Sequence, residues 1–264
     1  MNYDFYRKKL ESALRQYAQQ TGSLDFLPTV LNWLPAIIGL CKSNADNKKS
    51  AFRIGQTILD AGEVKIIAPA CPDWSNKPGS EGLLKGLGDG ISGLAKSQIG
   101  FLGNLISLGV PVKATIVYPD QDRSDPLLLT YSGTNQSNFV SKVISSANKT
   151  REVVKGYGWK SEIMTALIAD LETKCREEES FILNSPQFEN RLTTETLARM
   201  SFYQKIYPNI TWEQAYARSI RKSSYFLVLG RYAKSRNCLI SDFTPTDNPW
   251  YKETDTGVLY LNSN

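Results

Sequence analysis

The residues best suited to chemistry are packed into one short stretch. Ala70-Cys71-Pro72-Asp73-Trp74-Ser75 offers a thiol, a carboxylate, an indole and a hydroxyl within consecutive positions. A nucleophilic Ser75 or Cys71 there could hold an acyl group, with Asp73 orienting it and Trp74 packing against substrate. Two further carboxylates, Asp120 and Asp122, stand two residues apart in an acidic turn. Such a pair suits an ammonium group or a divalent cation. The glycine-rich Gly86-Leu87-Gly88-Asp89-Gly90 could let backbone approach a phosphate. It matches neither dinucleotide nor P-loop spacing, and flexible packing is the reading preferred here.

A fourth constellation lies late in the chain. Arg199, Lys205, Arg218, Arg221, Lys222, Arg231, Lys234 and Arg236 fall within one segment, opposed there only by Glu213. Tyr203, Tyr207, Tyr216, Tyr225 and Tyr232 interleave with them. Arg218 and Lys222, four apart, share a helix face. A basic, aromatic-laced surface can follow a phosphate backbone. The alternative is an ordinary basic helix face with its tyrosines in the core. The charged stretch from Lys174 to Glu179 reads as a solvated helix face.

The 264-residue chain contains no histidine. That excludes Ser-His-Asp and Cys-His machinery and removes the commonest metal ligand. Acid–base work falls to Asp, Glu, Lys, Tyr, the substrate or water. Cys41, Cys71, Cys175 and Cys238 are scattered without a CxxC pair, so neither a zinc site nor a disulfide framework is expected. The net charge is +5. The start of the chain is polar, with no signal-peptide core, and the apolar stretch Leu27–Leu40 is too short for a bilayer. A cytoplasmic protein without membrane segment, metal or cofactor is expected.

These groups need a scaffold. Tyr6, Leu10, Leu14 and Tyr17 form one amphipathic stripe, and residues 1–60 read as a helical segment. Val64–Pro69 and Val112–Tyr118 are apolar, β-branched runs that read as buried strands. Between them the glycine-loaded stretch 81–108 reads as helix. This strand–loop–helix–strand order is the unit of a parallel sheet. Residues 127–131 read as a short strand; 139–154, 161–183 and 194–206 as helices. Thr211-Trp212-Glu213-Gln214 fits a capping box opening a helix to about Lys222. Residues 238–241 and 258–261 read as final strands. The expectation is one α/β domain over 1–264: a Rossmann-like, mostly parallel sheet flanked by helices in 61–264, after the helical N-terminal segment. In such sheets ligands sit at the carboxyl ends of strands, where the Cys71–Ser75 loop falls.

This order of elements resembles two families of small biosynthetic enzymes. In the cyclodipeptide synthases, related to class I aminoacyl-tRNA synthetases, a serine after an early strand takes an aminoacyl group from tRNA, and tyrosines lie further on. The resemblance implies Ser75 as nucleophile, Tyr225 as a catalytic tyrosine and Tyr203 with Trp74 at the substrate. It also implies Arg218, Arg221, Lys222, Arg231 and Lys234 as tRNA contacts. The isonitrile synthases are similar in a strand, a loop to which Pro72-Asp73 compares, and an acid after a later strand, matched by Asp120. The leading expectation is a tRNA-dependent aminoacyl transferase making a peptide-like metabolite through an acyl-enzyme. The alternatives are a tRNA-independent amino-acid-modifying enzyme and a non-enzymatic nucleic-acid-binding module.

Overall fold

Strands buried on both faces of a parallel sheet must be apolar almost throughout. Two stretches meet that condition, and they pair at the centre of the sheet. β1 (Val64–Pro69) and β4 (Val112–Tyr118) run parallel in register from Val64↔Val112 to Pro69↔Val117. The computed structural model describes residues 3–40, 46–71, 74–76, 84–87, 90–126, 129, 133–242 and 249–260. Within it α1 (Tyr3–Thr21), α2 (Leu27–Leu40) and α3 (Asp46–Ala61) precede β1. A small hairpin, β2 (Trp74–Asn76) with β3 (Leu84–Leu87), and α4 (Gly93–Ser107) separate β1 from β4. Then come α5 (Gln136–Val154), β5 (Lys160–Ile163), the single turn α6 (Met164–Leu167), α7 (Leu171–Leu183), α8 (Glu189–Ile206) and α9 (Trp212–Ser235). β6 (Leu239–Asp242), α10 (Pro249–Glu253) and β7 (Val258–Tyr260) follow.

The main sheet has five strands in the order β5-β4-β1-β6-β7, all parallel. In chain order the chain starts at the centre, winds outward through β4 and β5, then returns to the other side of β1. This is the doubly wound, Rossmann-like arrangement, with its reversal between β1 and β6. Alternate residues feed two layers. Ile66, Ala68, Ala114, Ile116 and Tyr118 join the core built with α1 to α5. Ile67, Val117, Ile240 and Val258 join that of α7 and α9. Leu14 of α1, Val30 and Leu34 of α2 and Ile54 of α3 are buried in the first core, which makes the N-terminal helices part of that layer. Tyr17 Oη donates to Asp60 Oδ2 at 2.6 Å and ties α1 to α3.

Four elements depart from the sequence expectation. The helix expected over 161–183 contains a strand, a break and two helices. β5 pairs with β4 from Thr115↔Lys160 to Tyr118↔Ile163, at the edge of the sheet. The strand expected over 127–131 falls largely outside the described residues; Leu129 N–H donates to Asp125 O, a helical bond. The helix expected over 81–108 yields its first part to β3, and α4 starts at Gly93 behind the N-cap Ser92. The capping box at Thr211 and Gln214 forms as read, but α9 continues to Ser235. At Gly230 it passes the turn after α10 so closely that any Cβ there would collide with Thr254 Oγ1.

Candidate functional site

In doubly wound sheets the crevice for ligands opens at the carboxyl ends of the strands where the winding reverses. Here that place lies above β1 and β6. The two strands pair only at Ile66↔Leu239 and Ile67↔Ile240. Two residues later β1 ends in Pro69, which has no N–H to donate. The gap is filled by a side chain from α4. Gln98 Nε2 donates to Pro69 O at 3.3 Å and to Ser241 O at 3.5 Å, while Gln98 Oε1 accepts from Ser241 Oγ at 2.7 Å. Both side chains are fully buried. One amide thus holds the diverging strand ends at a fixed separation and satisfies polar groups that would otherwise be buried without partners.

The other walls are equally tied down. Ser92 Oγ accepts from Ala95 N–H, and Ser92 N–H donates to Tyr118 Oη at 3.3 Å. Tyr118 Oη in turn meets Thr150 Oγ1 at 2.8 Å. The start of α4 is therefore fixed to the end of β4 and to α5. On the far side of β4, fully buried Asp120 accepts from Thr165 N–H at 3.1 Å, from Thr165 Oγ1 at 2.6 Å and from Arg123 at 3.4 Å. These bonds join the end of β4 to the β5–α6 junction. Asp120 is a clamp in the scaffold, because its oxygens already have donors, and the expected ammonium or metal role does not fit it. Asp122 lies in the 3-10 turn Gln121–Ser124, and its side chain lies outside the described residues.

Of the expected nucleophiles, Cys71 stands at the end of β1 and is exposed. Ala70 N–H, one residue before, still bonds Val117 O at 2.8 Å, so the position of Cys71 is set by the sheet. Ser75 and Trp74 are carried by β2, beyond the strand end, and their side chains lie outside the described residues, as does Asp73 altogether. Cys175 is buried in the second core, and burial pushes its thiol up to about 12, which keeps it un-ionised at neutral pH. Burial also raises Cys238. Asp242 ends β6, half-buried, on the face opposite Ser241. Gln98, Ser241 and Asp242 were not singled out in the sequence. The only trace of the first is a lone amide on the buried stripe Ala95, Gln98, Leu102 and Leu105.

The basic segment folds differently from the expected solvent-facing stripe. Arg218 makes a two-pronged pair with Asp125, at 2.6 and 3.0 Å, and lies over the rings of Tyr203 and Tyr207. Only 19% of its side chain is exposed. Arg221 bridges Glu172 and Glu179 of α7 and covers the ring of Tyr225. Arg231 pairs with Glu178, and Lys234 with Asp255 at 3.0 Å. Lys222 is exposed. The acidic stretch of α7, expected to be solvated, is therefore zipped against α9, and Glu178 is buried. Tyr203 and Tyr225 are buried in helix packing, Tyr225 with Cys175 and Val228, and Tyr203 with Ile210 and Ala215.

Among the described residues no group of three or more His, Cys, Asp or Glu could hold a metal ion, and no helix is long and apolar enough to cross a membrane. No protein-family model matches the chain, and comparison with curated proteins and with solved structures finds no match either.

Proposed function

We propose that the protein is an enzyme that modifies a free, amino-acid-derived small molecule in the crevice above β1 and β6, without tRNA. The observation that carries this reading is the internal pairing of the basic segment. Arg218, Arg221, Arg231 and Lys234 each face a carboxylate of another element. A cation already paired contributes little to counterion release from a nucleic acid. That weakens the aminoacyl-tRNA reading relative to the tRNA-independent one, while the strand order favours a small ligand at the winding reversal. In the crevice Asp242 offers a carboxylate for the ammonium of an amino acid, and Cys71 stands at the adjoining strand end. With no imidazole in the chain, proton transfer in this reading falls to carboxylates, the substrate's own amine or water.

Cys71 also supplies the test. Native alkylation with iodoacetamide, mapped by peptide mass, should label Cys71 and leave Cys175 unmodified. A panel of free amino acids at millimolar concentration should contain at least one member that slows labelling of Cys71 by about tenfold or more, as expected at ligand concentrations well above Kd. Asp242→Asn should abolish that protection. If no free amino acid protects and aminoacylated tRNA does, the tRNA-dependent transferase takes its place.

A further inference from the structure

We propose that the free edge of β5 is a self-complementary pairing surface for a second copy of this chain, and that Arg151 of α5 holds it shut. β5 is the last strand on its side of the sheet. An edge strand presents N–H and C=O groups that can recruit another strand. At β5 the outward carbonyl is that of Ser161, and one guanidinium occupies it. Arg151 donates to Ser161 O from Nε at 3.2 Å and from Nη2 at 2.9 Å. Two more bonds fix the arginine in that place: Nη2 donates to Glu162 Oε2 and Nη1 to Asn148 Oδ1, both at 3.1 Å. The other edge of the sheet is closed differently. Gly257 O accepts from Ile240 N–H at 2.9 Å, so the next carbonyl, Val258 O, faces outward. It accepts from Arg53 Nη1 at 3.3 Å and from the buried Ser50 Oγ at 3.5 Å, and α3 thus lies over β7. At β5 the guard is a single side chain, 44% of it exposed.

What the guard covers suits a twofold partner. β5 reads Lys160-Ser161-Glu162-Ile163. Ser161 turns its carbonyl to Arg151, and its N–H lies on the same side of the strand. Two antiparallel copies centred on Ser161 would exchange both N–H···O bonds there, the hydrogen-bonded pair of an antiparallel ladder. The same register sets Lys160 of each copy opposite Glu162 of the other, because residues two apart share a face. Opposite charges directly across a strand pair are favourable, and like charges are not. Parallel pairing in register would set Lys160 against Lys160 and Glu162 against Glu162. The antiparallel arrangement is isologous, so it closes at a dimer and joins two sheets into one. Arg151 opposes it twice over: it occupies the carbonyl, and it holds the carboxylate that the second copy's lysine would need. A strand of four residues offers few bonds, so one arginine is enough to keep the edge closed.

The experiment is sedimentation velocity of the full chain over a concentration series, in reducing agent so that the exposed Cys71 cannot cross-link. In the unaltered chain the edge is shut, so Lys160→Glu alone should leave sedimentation unchanged. Arg151→Ala should add a reversible dimerisation, at least about tenfold tighter than any self-association of the unaltered chain. Arg151→Met, which keeps the aliphatic stem and has no donor, should do the same, and it serves in place of the alanine variant should that one not melt cooperatively. Adding Lys160→Glu to the opened chain sets the new glutamate against Glu162 and should abolish the dimer. Adding Glu162→Lys as well restores opposite charges across the pair and should restore it. A folded Arg151 variant that associates no more than the unaltered chain would overturn the proposal. So would a dimer indifferent to Lys160→Glu, a charge-swapped variant that folds but does not recover the dimer, or an unaltered chain whose own association is dispersed by Lys160→Glu.

Discussion

Gln98→Leu will destabilise the protein by about 3 kcal/mol, because it strands a buried hydroxyl and weakens the satisfaction of two buried carbonyls at once. Leucine nearly matches glutamine in volume, so cavity formation is a small part of the effect. The loss comes from Ser241 Oγ, which has Gln98 Oε1 as its acceptor at 2.7 Å, and from Pro69 O and Ser241 O, which share the amide donor. Each buried polar group left without its partner costs about 1–3 kcal/mol. The longer bonds to the carbonyls put their share at the low end. For a chain of this size the melting temperature should fall by about 6–10 °C. Gln98→Leu with Ser241→Ala should recover part of the loss, since the hydroxyl is then gone, but not all of it, since both carbonyls remain. Amino-acid protection of Cys71 should also weaken in Gln98→Leu, because the strand ends framing the crevice lose their spacer. An unchanged melting temperature would mean that Gln98 does not hold β1 and β6.

The second large effect is expected at Arg221. Burial disfavours its charge, but the bonds from Glu179 and Glu172 outweigh that and hold the guanidinium above its ordinary range. Arg221→Glu replaces the bridge by a third carboxylate beside two others and removes the cation from the ring of Tyr225. Breaking a buried pair from one side costs about 3–5 kcal/mol, and the partial exposure of all three groups reduces this to about 2–3 kcal/mol. Lys222→Glu, the next residue but exposed, should cost less than Arg221→Glu, since an exposed charge contributes only about 0–1 kcal/mol. Arg221→Met should fall between the two, since it keeps the aliphatic packing and adds no repulsion. Urea denaturation of the three variants measures the order directly. Equal stability of Arg221→Glu and Lys222→Glu would return Arg221 to the surface.

These two residues also mark what a sequence can and cannot disclose. β1 and β4 were legible because a strand covered on both faces must be apolar along its whole length, and Val64–Pro69 and Val112–Tyr118 are nearly so. The capping box at Thr211 was legible because its chemistry is complete within four residues. β5 was not. Lys160-Ser161-Glu162-Ile163 is an edge strand with a single apolar residue, and it runs straight into α6, so the surrounding helical periodicity absorbs it. The end of α9 was missed because the run from Ser223 to Leu229 is buried almost throughout and shows no helical stripe. The basic segment was misread for a different reason. Counting charge along the chain sees only Glu213 against eight cations. The opposing carboxylates, Asp125, Glu172, Glu178, Glu179 and Asp255, arrive from other elements through the fold. Gln98 is legible only in hindsight, since nothing local tells a bridging amide from a tolerated one.

On the proposed function, the cations of α9 hold helices together and the crevice takes a free small molecule. Fluorescence anisotropy of labelled bulk tRNA, titrated with the protein from low salt to about 0.15 M, tests it most directly. Each phosphate neutralised adds a slope of roughly −0.7 to −0.9 to the log–log plot of affinity against salt. No saturable binding is expected at the upper salt, and a slope of about one contact or less at the lower. A slope of four or five contacts that falls by about two on charge reversal at Arg218 and Lys222, in a variant that still melts cooperatively, would contradict it.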